Sequence, residues 1–136
     1  MTSSTPSESA DPAAGATVLV VDDDELQRGE IVDFLSRQGL NVLAEENGFA
    51  AVHTVRNTKA RVVVLDMKMP GLDGLQVSRL LSRLEDPPQV ILMSGYPEYV
   101  YRAHAEQSDV FAVLEKPVPL AALMRFVSDA LKQPSS

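Results

Sequence analysis

The residues of this chain that could do chemistry stand at the ends of short apolar runs. They are Asp22, Asp23, Asp66, Ser94 and Lys116. A continuous apolar run of four or five residues is typical of a strand that is buried on both faces of a parallel sheet. The carboxyl ends of such strands lie along one edge of the sheet, where open α/β proteins place their sites. We therefore expect these five side chains to converge.

Three carboxylates, a hydroxyl and an ammonium group together suit phosphoryl chemistry. Carboxylates that lie close together repel one another and raise one another's pKa unless a cation neutralises them. A hard divalent cation with oxygen ligands fits best, and we infer Mg²⁺. A carboxylate oxygen can attack phosphorus and form an aspartyl phosphate, and we interpret Asp66 as that acceptor. Ser94 could donate a hydrogen bond to a phosphoryl oxygen, and Lys116 could pair with another.

The elements that must position these residues alternate between strand and helix five times. This alternation predicts a doubly wound α/β fold with a parallel sheet and helices on both faces. Leu26, Ile31, Phe34 and Leu35 mark the predicted buried face of the first helix, and Gly39 suits its C-terminal end. The predicted strands cover about 18–21, 41–44, 62–66, 90–93 and 110–114; the predicted helices cover about 25–38, 49–57, 74–84, 98–106 and 119–131.

Length and composition bound the class of protein. The chain has 136 residues, no cysteine and a net charge of -7. We expect a disordered tail at 1–16, one domain at 17–133 and a frayed end at 134–136. The missing cysteines exclude disulfides, and the acidic balance argues against direct binding of nucleic acid. No apolar run approaches the length of about 20 residues that a membrane span needs, and no signal peptide is visible, so we expect a cytoplasmic protein.

Four short motifs, in this order, resemble the receiver domain of bacterial two-component response regulators. The resemblance covers about 17–133 and implies a flavodoxin-like (βα)5 fold with strand order 2-1-3-4-5. It also implies a signalling switch rather than an enzyme with turnover. The motifs are Val-Val-Asp22-Asp23-Asp24, Leu-Asp66-Met-Lys-Met-Pro70-Gly-Leu-Asp73-Gly74, Met-Ser94-Gly95 and Glu-Lys116-Pro117.

The resemblance implies a role for each matching residue. Asp66 takes a phosphoryl group from a histidine kinase or a phosphotransfer protein. Asp23 and Asp66 bind Mg²⁺ directly with the backbone carbonyl of Lys68, and Asp22 binds it through water. Ser94 moves toward the phosphoryl group on activation. Lys116 is the lysine of the family pattern, and its bond to Pro117 is expected to be cis.

Two further positions flank the acceptor, and one departs from the family pattern. We hypothesise that Lys68 and Tyr96 shield the acyl phosphate from water. Val113 stands where the family usually carries an aromatic ring that changes rotamer. Phe111, two residues earlier, is predicted to lie on the same face of the strand. A valine side chain has one stiff torsion and no ring, so Val113 cannot make the rotamer change that the family's aromatic residue makes.

The predicted helix after Ser94 carries Tyr99 and Tyr101, and exposed aromatic side chains are enriched at interfaces. In receivers, partners or a second copy bind the face formed by the fourth helix, the fifth strand and the fifth helix. We therefore expect a partner contact or a homodimer contact there. Neither the downstream partner nor an attached output domain can be identified from the chain itself.

Two other functions fit parts of the pattern. Asp22-Asp23-Asp24 is similar to the nucleophile motif of haloacid-dehalogenase-type phosphatases, in which Asp22 would be the nucleophile and Asp24 the acid/base. That alternative leaves the pattern around Asp66 unexplained. A phosphorylation-independent interaction module built on the receiver fold is the third possibility, and the complete acidic cluster argues against it.

Overall fold

The computed structural model describes residues 16–96, 98 and 110–133. Its strands are parallel, as the alternation of strands and helices predicted, and they form one sheet with the order β2-β1-β3-β4-β5 that the family resemblance implied. The strands are β1 Thr17–Val21, β2 Asn41–Glu45, β3 Val62–Asp66, β4 Gln89–Ser94 and β5 Ala112–Glu115. The helices among the described residues are α1 Glu25–Arg37, α2 Gly48–Thr58, α3 Gly74–Ser82 and α4 Leu120–Leu131.

The register of the strands aligns their carboxyl ends. Val21 of β1 lies opposite Leu65 of β3, and Asp66 lies opposite Met93 of β4. Ser94 in turn lies opposite Glu115 of β5. Polar side chains stand at or directly after these aligned positions: Asp66 ends β3, Ser94 ends β4, Asp22 follows Val21 and Lys116 follows Glu115. A shift of one residue in a strand would turn its side chains to the other face, so this register is what brings the polar residues together.

Each face of the sheet carries its own core. Val18 and Val20 pack with α1 and α4, in a cluster that includes Ile31 and Leu123. Side chains at the alternate positions of the strands pack with α2 and α3 on the other face; they include Leu19, Val21, Val63, Leu65, Ala51, Val55, Leu75 and Leu81. Because the central strands are covered on both sides, they are apolar throughout until the chain reaches the edge.

Polar caps fix the points where the loops of that edge enter helices. The Asp24 side chain accepts hydrogen bonds from the backbone N–H groups of Leu26 and Gln27 at the start of α1. Asp73 forms a capping box with Gln76 at the start of α3. At the other end of α1, Gly39 has a positive φ of 89°, as expected for a residue that ends a helix.

One prediction about α1 is wrong. Leu26 was expected on the buried face, but 75% of its surface is exposed. The buried stripe of α1 contains Ile31 and Leu35, and the position one turn earlier on the same stripe is Gln27. Leu26 therefore lies about 100° away from the stripe, and α1 presents an apolar side chain to solvent near the carboxyl edge of the sheet.

The prediction for the last strand also needs correction. It begins at Ala112 rather than at residue 110, and Phe111 lies in a bend before it. Phe111 packs against the core that contains α1 and α4, whereas Val113 packs against the core of the other face. The two residues do not share a face, because strand alternation does not extend through the bend.

Several predictions lie outside the described residues. They concern residues 1–15, residues 134–136 and the helix expected at about 98–106. Of that helix only Glu98 is described, so Tyr99 and Tyr101 lie outside the described residues. The proposed homodimer face includes part of this segment. Within the described ranges, no helix has the length and apolar character needed to cross a membrane.

Candidate functional site

A cleft of about 430 Å³ opens at the carboxyl edge of the sheet. It lies where β1, β3, β4 and β5 end, which is the position expected for a site in a doubly wound fold. All five residues predicted to carry chemistry line it, together with both flanking residues, Lys68 and Tyr96. The lining residues are Asp22, Asp23, Asp24, Asp66, Lys68, Ser94, Gly95, Tyr96 and Lys116.

Three carboxylates form a cluster in this cleft. Each of Asp22, Asp23 and Asp66 offers one oxygen, and these oxygens all lie within 4.8 Å of one another. Asp22 is fully buried and Asp66 is 5% exposed, whereas Asp23 is exposed. The cluster combines two buried carboxylates with one that faces solvent, and carboxylate oxygens are ligands that a hard divalent cation accepts.

The hydrogen bonds around Asp22 hold its carboxylate in place but leave one oxygen available. Its Oδ1 accepts from the backbone N–H of Asp24 at 2.9 Å. Its Oδ2 is buried and has no hydrogen-bond donor among the described residues. Because a buried oxygen without a donor is costly, this atom fits a cation ligand, either directly or through water.

A residue that sequence reasoning missed also fixes this loop. The guanidinium of Arg28 donates a hydrogen bond of 2.7 Å to the backbone carbonyl of Asp22. The backbone N–H of Asp22 donates to the carbonyl of Glu45 at 3.2 Å. Nothing in the sequence distinguishes Arg28 from an arginine on a solvent-exposed helix face, because its role depends on how α1 meets β1.

Lys116 supplies the positive charge of the cleft. Its Nζ lies 2.9 Å from Asp66 Oδ1 and 3.8 Å from Asp22 Oδ2. The longer distance is an ion-pair contact rather than a hydrogen bond. The backbone N–H of Lys116 donates to the carbonyl of Ser94 at 2.8 Å, and the Lys116–Pro117 bond is cis. β5, the edge strand of the sheet, thus places the ammonium group beside the carboxylates at the ends of β1 and β3.

Burial dominates the titration of both buried carboxylates. It raises the pKa of Asp22 to about 6, against the lowering effect of the Asp24 N–H, with a further rise from Asp66. Burial also raises the pKa of Asp66, although its hydrogen bond and charge interaction with Lys116 oppose the rise. One lysine therefore does not fully compensate the cluster, and a bound divalent cation would favour the ionised forms.

Ser94, Tyr96 and Lys68 are linked on one side of the cleft. The Ser94 hydroxyl accepts from the backbone N–H of Tyr96 at 3.1 Å and donates to its carbonyl at 3.3 Å. The ammonium group of Lys68 lies 4.5 Å from the centroid of the Tyr96 ring, a cation–π contact. The sequence predicted that Lys68 and Tyr96 both lie beside Asp66 but did not predict that they contact each other.

The backbone beside Asp66 is closely packed. A Cβ atom on Gly74 would lie 2.8 Å from the Cα of Met67 and 3.1 Å from the carbonyl oxygen of Asp66. The N–H of Gly74 donates to the carbonyl of Met67 at 2.7 Å. The start of α3 is therefore pressed against the loop that follows Asp66, and only glycine fits there.

Two predicted switch residues lie elsewhere. Val113 and Phe111 do not line the cleft and belong to the two cores. Tyr99 and Tyr101 lie outside the described residues. Among the described residues, the structure thus brings together those expected to carry chemistry and places Val113 and Phe111 outside their cleft.

A comparison with known proteins finds one family whose pattern matches most of this chain. The family described as response regulator receiver domain matches residues 18–128. The positive alginate biosynthesis regulatory protein of Pseudomonas aeruginosa is 36% identical over 121 residues, which cover 87% of this chain and 46% of that protein. The response regulator MprA of a Mycobacterium species is 30% identical, with coverages of 87% and 51%. The chain thus spans about half the length of these curated relatives.

Solved structures of similar fold include receiver domains. The signal receiver domain of the response regulator NarL from Mycobacterium tuberculosis has a TM-score of 0.78 and 32% identity, and the match covers 89% of this chain and 99% of that one. A response regulator receiver domain protein from Clostridium thermocellum has a TM-score of 0.78 and 26% identity, with coverages of 85% and 94%.

Proposed function

The chain belongs to the response regulator receiver domain family, and from that membership we propose that Asp66 is its phosphoacceptor. The observation that carries the proposal is the arrangement around this carboxylate. Asp66 ends the central strand β3 and has Lys116 Nζ at 2.9 Å. It also shares its cleft with the carboxylates of Asp22 and Asp23 and with the Ser94 hydroxyl. These are the parts that phosphoryl transfer to a carboxylate needs.

The proposed reaction transfers a phosphoryl group from a phosphohistidine of a kinase or phosphotransfer protein. A carboxylate oxygen of Asp66 forms a bond to phosphorus as the bond between phosphorus and the imidazole nitrogen breaks. The bonding electron pair leaves with that nitrogen, which then takes a proton from solvent. Hydrolysis of the acyl phosphate by water later restores the carboxylate and releases inorganic phosphate.

We propose that Asp22, Asp23, Asp66 and the backbone carbonyl of Lys68 provide the oxygen ligands for Mg²⁺, with Asp22 acting through water. The buried, donor-free Oδ2 of Asp22 and the spacing of the three carboxylates support this assignment. The cation, when bound, neutralises charge on the transferring oxygens. The chain's own part is to hold two buried carboxylates in position beside Lys116, so that the oxygen ligands are in place before the phosphoryl group arrives.

Ser94 and Lys116 would stabilise the product. Lys116 already pairs with Asp66 and could pair with a phosphoryl oxygen in the same position. The Ser94 hydroxyl lines the cleft and could turn to donate to another such oxygen. The outcome is a domain whose conformation depends on a charge at Asp66 rather than an enzyme with turnover on a separate substrate.

The haloacid-dehalogenase-type alternative loses its support. Such a mechanism would need Asp24 as an acid/base, but the Asp24 carboxylate caps α1 through two backbone N–H groups. The family match covers residues 18–128 and accounts for the pattern around Asp66, which that alternative does not. A phosphorylation-independent module would have no need of the complete set of acceptor, carboxylates, hydroxyl and lysine.

We propose that the phosphodonor protein docks on α1. This helix exposes Leu26 beside the acidic residues Glu25, Glu30 and Asp33, and the four line a shallow groove with Gly29. The surface therefore suits a partner with apolar and basic side chains. It begins directly after the loop that carries Asp22 and Asp23, so a donor seated there would hold its phosphohistidine near the cleft.

The experiment that tests the acceptor uses a small phosphodonor, which needs no protein partner. The full chain is incubated with labelled phosphoramidate, with and without Mg²⁺, and the incorporated label is measured. We expect incorporation that depends on Mg²⁺ and is lost in Asp66→Asn.

The matched control is Asp33→Asn, which removes a carboxylate on the exposed side of α1. It is expected to incorporate label like the wild type, because a small donor does not use the docking surface. Undiminished incorporation by Asp66→Asn would overturn the proposal.

A further inference from the structure

Arg28 reaches from α1 to the loop that carries two of the three clustered carboxylates. Its Nη1 donates a hydrogen bond of 2.7 Å to the backbone carbonyl of Asp22. The bond goes to a peptide group rather than to a carboxylate, and Arg28 does not line the cleft. Arg28 is therefore placed to act on the backbone of the loop, from outside the space in which a phosphoryl group would lie.

The hydrogen bond fixes the peptide group that joins Asp22 to Asp23. Because a peptide group is planar, a bond at its carbonyl sets the orientation of the whole unit. The next peptide group is held as well, since the N–H of Asp24 donates to Asp22 Oδ1 at 2.9 Å. Asp23 is exposed and gains little from packing. Its position therefore follows from the two anchored peptide groups on either side of it.

A cation in the place of Arg28 affects a metal site in two opposing ways. Its charge repels a divalent cation, so loss of the charge alone should strengthen metal binding, but a single charge outside the cleft changes the affinity by only a few-fold in salt solution. Its hydrogen bond keeps the ligands in place before the metal arrives. Loss of such a supporting contact typically lowers metal affinity by about 10- to 100-fold, so the hydrogen bond should dominate.

We propose that Arg28 is a positioning residue for the metal loop, residues 22–24, and that it raises the affinity of the site for Mg²⁺. This inference rests on the proposed Mg²⁺ site. It gives the two cations near the carboxylate cluster effects of opposite sign. Lys116 contacts carboxylate oxygens and competes with Mg²⁺ for them, whereas Arg28 contacts the backbone that carries the carboxylates.

The test measures the affinity of the full chain for Mg²⁺ by titration of its backbone amide NMR signals. Arg28→Met keeps the apolar stem of the side chain but removes the donor and the charge, and we expect its dissociation constant to rise about tenfold. Arg28→Lys keeps the charge on a shorter side chain and is expected to lose about threefold. In both metal-free variants, the amide signals of Asp23 and Asp24 should already be displaced.

The matched control is Arg37→Met, which removes the same charge from the same helix. Arg37 lies in the last turn of α1 and forms an exposed ion pair with Asp33, away from the metal loop. Its affinity for Mg²⁺ should change by less than about twofold, because a distant exposed charge is screened. The control therefore separates the contact of Arg28 from the net charge of α1.

Phosphorylation by phosphoramidate separates positioning from a general loss of structure. At low Mg²⁺, Arg28→Met should incorporate label more slowly than the wild type. Saturating Mg²⁺ should restore its rate, because the bound cation then orders the loop, whereas Lys116→Met should remain slow. A merely structural role would lower the free energy of unfolding, measured in urea with a chelator, and would leave the Mg²⁺ affinity of the folded protein unchanged.

The outcomes distinguish this inference from the proposed function. If the wild type binds Mg²⁺ and is phosphorylated on Asp66, but Arg28→Met binds Mg²⁺ as tightly or more tightly, the inference is wrong and the proposed function stands. A wild-type affinity in Arg28→Lys would contradict the inference even if Arg28→Met did not fold. If the wild type neither binds Mg²⁺ nor takes up label, the proposed function is overturned and the inference fails with it.

Discussion

At the scale of single residues, Lys116 is the group on which the site depends most directly. Its Nζ lies within hydrogen-bond distance of the Asp66 carboxylate and within ion-pair distance of the Asp22 carboxylate. It therefore stabilises two buried anions in the resting protein. The same position suits a phosphoryl oxygen in the product, since the lysine would then exchange one anionic partner for another.

Lys116→Met is expected to slow phosphorylation by a small donor by about a hundredfold, because a positioned cation near the developing charge is lost. The affinity for Mg²⁺ should remain or increase, since an ammonium that competes for the same carboxylates is gone. Stopped-flow measurement of both quantities checks this. Lys132→Met, which alters an exposed lysine at the end of α4, is the control. A phosphorylation rate unchanged by Lys116→Met would contradict the role.

At the scale of elements, the loop after β3 is held by the close approach of α3. The Gly74 N–H donates to the Met67 carbonyl, and the Asp73–Gln76 capping box starts the helix at this point. Asp66 is thus fixed from the side of α3 as well as by its strand. Local changes at the start of this helix should therefore reach the chemistry.

Gly74→Ala tests this directly. Its Cβ would lie 2.8 Å from Met67 Cα and 2.9 Å from Leu92 Cδ2, so the backbone near Asp66 must shift. We expect a loss of about 1–3 kcal/mol in the free energy of unfolding and slower phosphorylation. Gly29→Ala in α1 meets no atom within 4 Å and should stabilise the protein by roughly 0.5–1 kcal/mol. Urea unfolding of both variants measures the difference, and equal effects would show that the contact is unimportant.

The exposed position of Leu26 makes α1 testable as a docking element. With a histidine kinase that phosphorylates the wild type, Leu26→Ser should lower the rate of phosphoryl transfer by about tenfold, which is the effect of losing one apolar interface residue. Transfer from phosphoramidate should not change, because a small donor needs no docking. Leu80→Ser, on α3 and at the opposite face of the sheet, controls for loss of surface hydrophobicity. Equal slowing with both donors would contradict docking on α1.

The elements also show where sequence reasoning succeeds and where it fails. The strands of the central sheet and their polar ends were predictable, because continuous apolar runs followed by carboxylates have few other structural explanations. The misplacement of Leu26 arose because apolar character was followed instead of the helical period, which selects Gln27. Phe111 was misplaced because a bend before β5 leaves no trace in the alternation. Arg28 and the Lys68–Tyr96 contact depend on tertiary packing, which no local pattern encodes.

At the scale of the whole molecule, the chain carries a net charge of -7 and concentrates buried negative charge at its site. The fold therefore maintains an arrangement that is unfavourable without a bound cation. Such a cost at a functional site is expected, because ligands arranged for a metal repel one another when it is absent. The stability of the whole domain should depend on pH and on Mg²⁺ through this cluster.

Asp22 allows the pH dependence to be predicted with its sign. Its pKa is about 6 in the folded protein, against a usual value of 3.8, so the folded state keeps its proton while the unfolded state loses it. Stability without metal should therefore fall as the pH rises from about 4 to about 6. At neutral pH the difference corresponds to about 3 kcal/mol. Asp22→Asn removes this titration, so its stability relative to the wild type should increase over the same range.

Chemical unfolding of the wild type and Asp22→Asn between pH 4 and pH 7.5, in the presence of a chelator, measures this dependence. Saturating Mg²⁺ should stabilise the wild type more at pH 7.5 than at pH 5, because ionised ligands bind the cation better. A difference between the two proteins that does not vary with pH would contradict the assignment of the buried charge to Asp22.

The central claim is that the phosphoryl group is carried by Asp66, and the position of the acyl phosphate tests it most directly. The chain is phosphorylated with phosphoramidate and Mg²⁺, the acyl phosphate is reduced with borohydride, and the modified residue is located by peptide mass spectrometry. We predict a single modified residue, Asp66, and none in Asp66→Asn. Modification at Asp22, or the absence of any modified carboxylate, would contradict the account.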